Sequence, residues 1–189
     1  GAPAARGRLE VLDPARPARP RQLTLPWIGP SRPTIVSVGM WGLDSAGLVR
    51  LLRYHEIRRI ADVRVSASFS GPWFDPDRIM AQLRSAGVVY RRWPALGNRF
   101  IGDSSDDRVV LDRYARYLET REDELRELAE AVRGGPLLLL GWDEPHAGSE
   151  RELLVDALSR VESAFEVIVV SAVPRPLTAD WIAGRLLAR

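Results

Sequence analysis

The chain has 189 residues, of which 46% are hydrophobic; this is enough for one domain with a full core, and we expect no second domain. The formal net charge is only +2, and all 27 basic residues are arginines, so the body lacks the strong positive charge of a nucleic-acid-binding domain. Cysteine is absent, which excludes disulfides, a thiolate nucleophile and a cysteine metal site. The two histidines lie far apart in the sequence, which disfavours a zinc site.

The sequence carries no signal for a membrane or for secretion. No apolar run reaches the length that spans a bilayer, and the first residues lack the apolar core of a signal peptide. We therefore expect a cytoplasmic protein without a membrane partner.

Residues 1–33 form a predicted N-terminal arm. Half of the 14 prolines and six arginines fall here, and no helical or strand period is visible. Two interpretations stay open: a linker or packed tail, and an arm that contacts nucleic-acid phosphates. Two short apolar segments, residues 9–12 and 23–28, leave open whether the arm adds an edge strand to the body.

From residue 34 to residue 93, predicted strands alternate with predicted helices. The strands cover residues 34–38, 60–65 and 88–93. The first helix begins at Asp44 or Ser45, side chains that typically cap a helix N-terminus. The second begins after Asp75 and Pro76, an N-cap followed by proline at the first helical position, and Gly87 ends it.

The second half continues the same alternation. Two helices are predicted at residues 106–119 and 122–132, and a third at 149–163. The strand at 137–140 is too short for a helix and entirely apolar, which is typical of a parallel strand covered on both faces. A last strand at 165–170 precedes a short helix around Trp181. Strands separated by helices predict a three-layer α/β sandwich with a mainly parallel sheet of about five strands, forming a single domain over residues 34–189.

The carboxyl ends of parallel strands meet at one edge of a sheet, where α/β proteins bind their ligands. Arginines there match phosphate or carboxylate groups, and tryptophans stack on rings. The candidate ligand-binding residues at this edge are Gly39, Trp41, Arg64, Ser66, Tyr90, Arg99, Trp142, Ser149 and Arg151. The candidate general acids and bases are Asp62, Asp143 and Glu144.

Several of these residues have a structural interpretation beside the functional one. Asp62 lies in an apolar strand, so an ion pair with Arg64 or a helix N-terminus explains it as well as catalysis does. The tryptophans near strand ends either stack on a ligand or cover a small core. Ser149 and Glu152 have the spacing of a capping box, which marks the start of a helix and directs its first N–H groups toward the same edge.

Three motifs in order resemble a known bacterial family. Asp62-Val63-Arg64 is followed by a long loop with serine and phenylalanine, then by Val89-Tyr90, then by Leu96-Gly97. This order resembles the family catalogued as domain of unknown function 488, over about residues 34–158. The resemblance implies the fold and the place of the site, because no activity is assigned to the family.

The chain departs from that family at its later motifs. Gly141 stands where the family has a cysteine, and Asp143 where it has a glutamate. The family's Cys-His-Arg helix start falls on Ser149, Glu150 and Arg151, so only the arginine is kept. Any thiolate or histidine chemistry of the family is therefore not available here in the same form.

The sequence supports three hypotheses about function. The first is an enzyme that acts on a small anionic ligand, such as a nucleotide, a nucleoside or a sugar phosphate, by acid–base hydrolysis or group transfer. The second is a binding or accessory protein that has lost catalysis and engages nucleic acid, through its arm, or a protein partner. The third is a Mg²⁺-dependent phosphoesterase with Asp62, Asp143 and Glu144 as oxygen ligands; no other cofactor is predicted.

Overall fold

The computed structural model describes residues 8–12, 33–40, 43–66, 69, 74–142 and 148–172. Within these residues, six strands form a single sheet: β1 (Arg8–Leu12), β2 (Thr34–Gly39), β3 (Arg59–Asp62), β4 (Val89–Arg92), β5 (Leu137–Gly141) and β6 (Glu166–Ala172). Their order across the sheet is β1-β6-β2-β5-β3-β4, and every neighbouring pair is parallel. All carboxyl ends therefore lie at one edge.

Helices cover both faces of the sheet. They are α1 (Ser45–Tyr54), α2 (Pro76–Ser85), α3 (Asp107–Glu119), α4 (Glu122–Arg133) and α5 (Glu150–Val161), with a 3₁₀ turn at Pro94–Leu96. The apolar residues of α1 and α2 pack on one face, and those of α3, α4 and α5 pack on the other. The predicted three-layer α/β sandwich with a parallel sheet is confirmed.

The central strand β5 shows why the sheet needs two helical layers. Leu137 and Leu139 belong to the core under α3, α4 and α5, whereas Leu138 and Leu140 belong to the core under α1 and α2. All four side chains are at most 1% exposed. An apolar run without alternation is therefore required here, because both faces of the strand exclude water.

The helix starts follow the predicted caps. Asp44 accepts a hydrogen bond from the Gly47 N–H, and Asp75 accepts one from the Arg78 N–H. Ser149 caps α5 by accepting from the Arg151 N–H, while Glu152 accepts from the Gly148 N–H. These side chains satisfy N–H groups that have no partner within the helix, which is why each helix begins where it does.

Two strand predictions need correction. The strand predicted at 60–65 ends at Asp62, because the N–H of Arg64 bonds the Asp62 carboxylate and so leaves the ladder. Strand β1 lies inside the predicted N-terminal arm and pairs with β6 at the edge of the sheet. Its five residues contribute an edge strand, as the apolar segment 9–12 allowed.

Other predicted features lie outside the described residues: the remainder of the arm, including the segment 23–28, and the helix around Trp181. Among the helices that the structure describes, none is long and apolar enough to cross a membrane.

Truncation of Leu139 tests the burial of the central strand. Leu139→Ala removes a side chain that is 1% exposed and leaves a cavity, so we expect the free energy of unfolding to fall by about 2–5 kcal/mol in urea denaturation. Val109→Ala on α3, where the side chain is 40% exposed, should stay within about 0.5 kcal/mol of the parent. Equal losses in the two variants would contradict two-sided burial of β5.

Candidate ligand-binding site

At the carboxyl edge of the sheet, the connections that follow neighbouring strands turn toward opposite faces of the sheet. The chain passes from β2 and β3 to α1 and α2 on one face, but from β5, which lies between these strands, to α5 on the other. Such a divergence opens a crevice at the strand ends, and ligands of α/β sheets bind there.

A cavity of about 220 Å³ lies at this edge. Its apolar wall consists of Val65, Ile101 and Trp142, whose side chains are 43%, 58% and 39% exposed. Its polar lining consists of Ser66, Asn98, Arg99 and Glu150. The residues come from the segments that follow β3, β4 and β5 and from the start of α5, so four separate segments build one site.

The Asp62 carboxylate lies in the interior of the protein and is not part of the cavity lining. Its Oδ1 accepts from the backbone N–H of Arg64 at 3.1 Å and from Arg64 Nε at 2.9 Å. Its Oδ2 accepts from Arg64 Nη2 and from the Tyr90 hydroxyl, both at 2.6 Å. Because a carboxylate offers about four lone-pair positions, these bonds occupy the whole group. This geometry favours the structural interpretation of Asp62 over the catalytic one.

Arg64 is fully buried and lies between two aromatic rings. Its Cζ atom is 5.2 Å from the centre of the Phe69 ring and 4.7 Å from that of the Trp142 ring. Trp142 also lines the cavity, whereas Arg64 does not, so Arg64 contacts the cavity wall through the Trp142 ring. The salt bridge to Asp62 and the two rings together give this buried cation an energetically favourable environment.

Tyr90 completes this group from the neighbouring strand β4. Partial burial and, after it, the hydrogen bond to the charged Asp62 carboxylate raise the pKa of the Tyr90 hydroxyl well above its ordinary value. The hydroxyl therefore stays protonated at neutral pH and acts as a donor to Asp62. We assign Tyr90 a role in fixing Asp62.

A glycine allows the loop that carries Asn98 and Arg99 to lie close against the segment that follows β3. A Cβ on Gly97 would lie 2.2 Å from the carbonyl oxygen of Val63 and 2.8 Å from Cγ2 of Val65. Tyr114 on α3 fixes the same loop, because its hydroxyl donates to the Leu96 carbonyl at 2.6 Å. The Leu-Gly motif thus allows the loop to lie close to Val63 and Val65, the second of which lines the cavity.

Arg99 rests on an aromatic ring. Its Cζ atom is 4.7 Å from the centre of the Tyr117 ring, and the hydroxyl of Tyr117 donates to the Ala95 carbonyl at 2.8 Å. The Arg99 side chain is exposed, and no carboxylate in the part of the chain that the structure describes forms a salt bridge with it. This cation is therefore held in place at the cavity and open to an anion from solvent.

Glu150 is the first residue of α5 and is only 4% exposed. The N-terminal end of a helix carries partial positive charge, which favours a carboxylate at this position. Burial, followed by the nearby Glu150 charge, raises the pKa of Tyr114 well above its ordinary value. Glu150 is thus a buried acidic group in the cavity lining, close to the tyrosine that holds the Asn98 loop.

Arg151, the next residue, points away from the cavity lining and into the core. It is fully buried, and its Nη1 donates to the Ser37 hydroxyl at 2.9 Å. A Cβ on Gly141 would lie 2.7 Å from Arg151 Cδ, so this arginine occupies the space that a side chain at 141 would need. Gly39 pairs with Gly141 at the ends of β2 and β5.

The predicted site residues therefore separate into three groups. Ser66, Arg99 and Trp142 line the cavity. A second set lies around it in structural positions: Gly39, Asp62, Arg64, Tyr90, Ser149 and Arg151. Trp41, Asp143 and Glu144 lie outside the described residues, and their roles stay predictions.

Sequence reasoning missed Asn98 and Glu150 as site residues. Both had a signal: Asn98 follows the Leu-Gly motif that marks the loop, and Glu150 follows the N-cap serine of a helix that begins at the carboxyl edge. Within the described ranges, no three His, Cys, Asp or Glu side chains come together as metal ligands.

The fold and the cavity define a three-layer α/β protein with a candidate site at the carboxyl edge of a parallel sheet. The chain belongs to the family described as Domain of unknown function DUF488, whose family model matches residues 46–158. This range begins in α1 and ends in α5, and it contains every residue of the cavity lining. No curated protein and no solved structure matches the chain.

Substitution of Asp62 tests its structural role. Asp62→Asn leaves the buried Arg64 without its charged partner, so we expect the free energy of unfolding to fall by about 3–5 kcal/mol. Asp103→Asn removes the exposed partner of Arg113 and should cost at most about 1 kcal/mol. If Asp62→Asn were as stable as this control, Asp62 would not be the structural anchor that the geometry indicates.

Gly97 provides a second test of the same region. Gly97→Ala places a methyl group against the Val63 carbonyl, so we expect it to displace the loop and to destabilise the fold. Gly87→Ala is the control, since its Cβ would meet nothing within 4 Å and costs only the strain of a positive φ, about 1–2 kcal/mol. Thermal unfolding should show the larger loss for Gly97→Ala; the reverse order would contradict the close packing of the loop.

Proposed function

We propose that this protein is an enzyme that acts on a small anionic ligand in the cavity, by acid–base hydrolysis or group transfer. The observation that carries the proposal is that Arg99 and Glu150 line the same small cavity at the carboxyl edge of the sheet. A guanidinium binds the anionic group of a ligand, and a carboxylate transfers a proton to or from it. The ligand classes that fit are nucleotides and sugar phosphates, because a nucleoside has no anionic group for Arg99.

Arg99 is the anion-binding residue of this proposal. It is exposed at the cavity and stacked on Tyr117, so its guanidinium is oriented before a ligand arrives. Arg64, the other predicted anion-binding residue, has two of its donors bound to Asp62 and lies behind Trp142. We therefore propose that Arg64 supports the indole of Trp142, which provides a flat apolar surface for a ring of the ligand.

Glu150 takes the acid–base role in this proposal. The Asp62 carboxylate accepts four hydrogen bonds and does not line the cavity, whereas Glu150 is part of the cavity lining. A carboxylate held at a helix N-terminus has a fixed position, which proton transfer requires. Asp143 and Glu144 remain predicted partners for the second half of an acid–base pair.

The size of the cavity supports a small ligand. Sites for ligands of drug size usually have a volume of about 300–1,000 Å³. At about 220 Å³, this cavity is below that range and too small to enclose a dinucleotide. A single sugar phosphate, or one part of a mononucleotide, fits the observed volume better.

A second candidate function is favoured by the apolar wall of the cavity. Val65, Ile101 and Trp142 are all substantially exposed, which is uncommon for large apolar side chains placed side by side. A binding protein that receives an unpaired base or a side chain of a macromolecular partner would need such a wall. This alternative keeps the anion at Arg99 but requires no turnover.

A thermal-shift screen with matched variants tests the proposal. At a hundred times its dissociation constant, a ligand stabilises the fold by about 2.7 kcal/mol, which raises Tm by roughly 5–10 °C in a domain of this size. We expect such a shift from a phosphate-bearing nucleotide or sugar, its loss in Arg99→Ala, and its retention in Arg108→Ala, which changes an exposed arginine on α3. Glu150→Gln should still bind the ligand, at most about tenfold more weakly because a charged hydrogen-bond acceptor is lost, but should lower kcat at least about 100-fold.

The outcomes separate the two candidate functions. Turnover that is unchanged in Glu150→Gln would contradict its acid–base role. Binding without turnover for any of the ligands would favour the binding protein. The absence of a shift with every phosphate-bearing ligand would contradict both, since both place an anion at Arg99.

A further inference from the structure

We infer that the neutral part of the ligand is a hydroxylated sugar ring, bound by Asn98 and Glu150, and that Arg99 binds a phosphate attached to this ring. The inference rests on the proposed function and names the substrate class of the same site. The ligand is therefore a sugar phosphate, either free or as the ribose 5′-phosphate part of a nucleotide.

The first observation is the orientation of the Asn98 amide. Its Oδ1 accepts a hydrogen bond from the Phe100 N–H at 3.0 Å. Because an N–H group can only donate, this bond identifies the oxygen end of the amide. The Nδ2 group is therefore the end left for another partner. Asn98 is only 5% exposed and lines the cavity, and within the described residues nothing accepts a bond from Nδ2. An amide donor in the lining of a cavity is a binding group for a ligand acceptor.

The second observation is that Glu150 belongs to the same lining and is as buried as Asn98. The two residues are 4% and 5% exposed, and both line the cavity. The Asn98 loop is also fixed near the start of α5, because the Tyr114 hydroxyl donates to the carbonyl of Leu96 and the charge of Glu150 acts on this hydroxyl. An amide donor and an acidic acceptor are thus the two most buried residues of the lining, and we call this pair the polar floor.

The polar floor selects a particular chemistry. A hydroxyl group can accept from the Asn98 amide and donate to the Glu150 carboxylate at the same time, whereas a phosphate offers only acceptors. A carboxylate would repel a phosphate, so the anion must lie at Arg99 and the hydroxyls at the floor. Carboxylates bind ribose hydroxyls in this way in dinucleotide sites. The apolar C–H face of a sugar ring would then pack against the indole of Trp142.

Calorimetric titration of the full chain with four probes tests this inference. The probes are ribose 5-phosphate, 2-deoxyribose 5-phosphate, uridine 5′-monophosphate and inorganic phosphate. We expect ribose 5-phosphate to bind at least about tenfold more tightly than inorganic phosphate, since it adds hydrogen bonds to a charged group. The deoxy sugar should lose part of this advantage. Uridine 5′-monophosphate shows whether a base is accommodated, and so separates a nucleotide from a free sugar phosphate.

Two variants isolate the polar floor. Glu150→Gln keeps the shape of the side chain and removes its charge, and Asn98→Ser keeps a short acceptor for the Phe100 N–H while removing the amide donor. Each should reduce the advantage of ribose 5-phosphate over inorganic phosphate by about tenfold. Arg99→Ala should weaken both ligands, and Arg108→Ala neither. Circular dichroism of each variant verifies its fold.

The direction in which Glu150→Gln changes the affinities distinguishes a hydroxyl-binding role of Glu150 from a purely electrostatic one. If Glu150 acted only through its negative charge, Glu150→Gln would strengthen the binding of every phosphate equally. That outcome, or an unchanged ratio of the two affinities in both variants, would overturn the inference while leaving an Arg99-dependent anion site and the proposed function intact. Failure of all four probes to bind would overturn both.

Discussion

The arrangement of this site depends on the hydrogen bonds of one buried carboxylate. Asp62, at the end of β3, holds the Arg64 backbone, the Arg64 guanidinium and the hydroxyl of Tyr90 on β4. Arg64 in turn supports Trp142 at the end of β5. Three neighbouring strands are thus tied together at their carboxyl ends by interactions that all pass through Asp62. The same bonds occupy this carboxylate, which is why the proposed function gives proton transfer to Glu150 and not to Asp62.

Much of the fold could be predicted from the sequence, because local patterns and tertiary needs agree. The apolar run of β5 predicts a strand buried on both faces, and the structure shows this burial. The predicted caps Asp44 and Asp75 precede α1 and α2, and the predicted glycine follows α2. The end of β3 could not be predicted, since it depends on whether the Arg64 N–H bonds a neighbouring strand or the Asp62 side chain. The sequence leaves open whether β1 is a strand, because five residues carry too little periodicity to distinguish a strand from an extended arm.

The site was less predictable than the fold for a related reason. The rule for parallel sheets gives the edge at which a cavity lies, but it does not give which side chains reach it. Arg64 and Arg99 look alike in the sequence, yet one is fully buried and the other is exposed at the cavity. The difference accompanies different partners: Arg64 pairs with the buried Asp62 and lies over the ring of Trp142, whereas Arg99 lies over the ring of Tyr117 on α3. Contacts between segments distant in sequence decide such questions, and a single sequence does not display them.

The pairing of β1 with β6 has a consequence for how the sheet is assembled. Arg8 is paired with Ile168, so these two strands join the first and last described segments of the chain and enclose a loop of about 160 residues. Contacts that span such a separation form late, because the entropy of closing the loop must be overcome before any stabilisation is gained. On the ribosome, β1 is made before β6, and it has no neighbouring strand to pair with until β6 has emerged. Its unpaired edge is therefore exposed throughout synthesis, and the proline and arginine residues that follow it in the sequence are of the kind that discourages association between exposed strands.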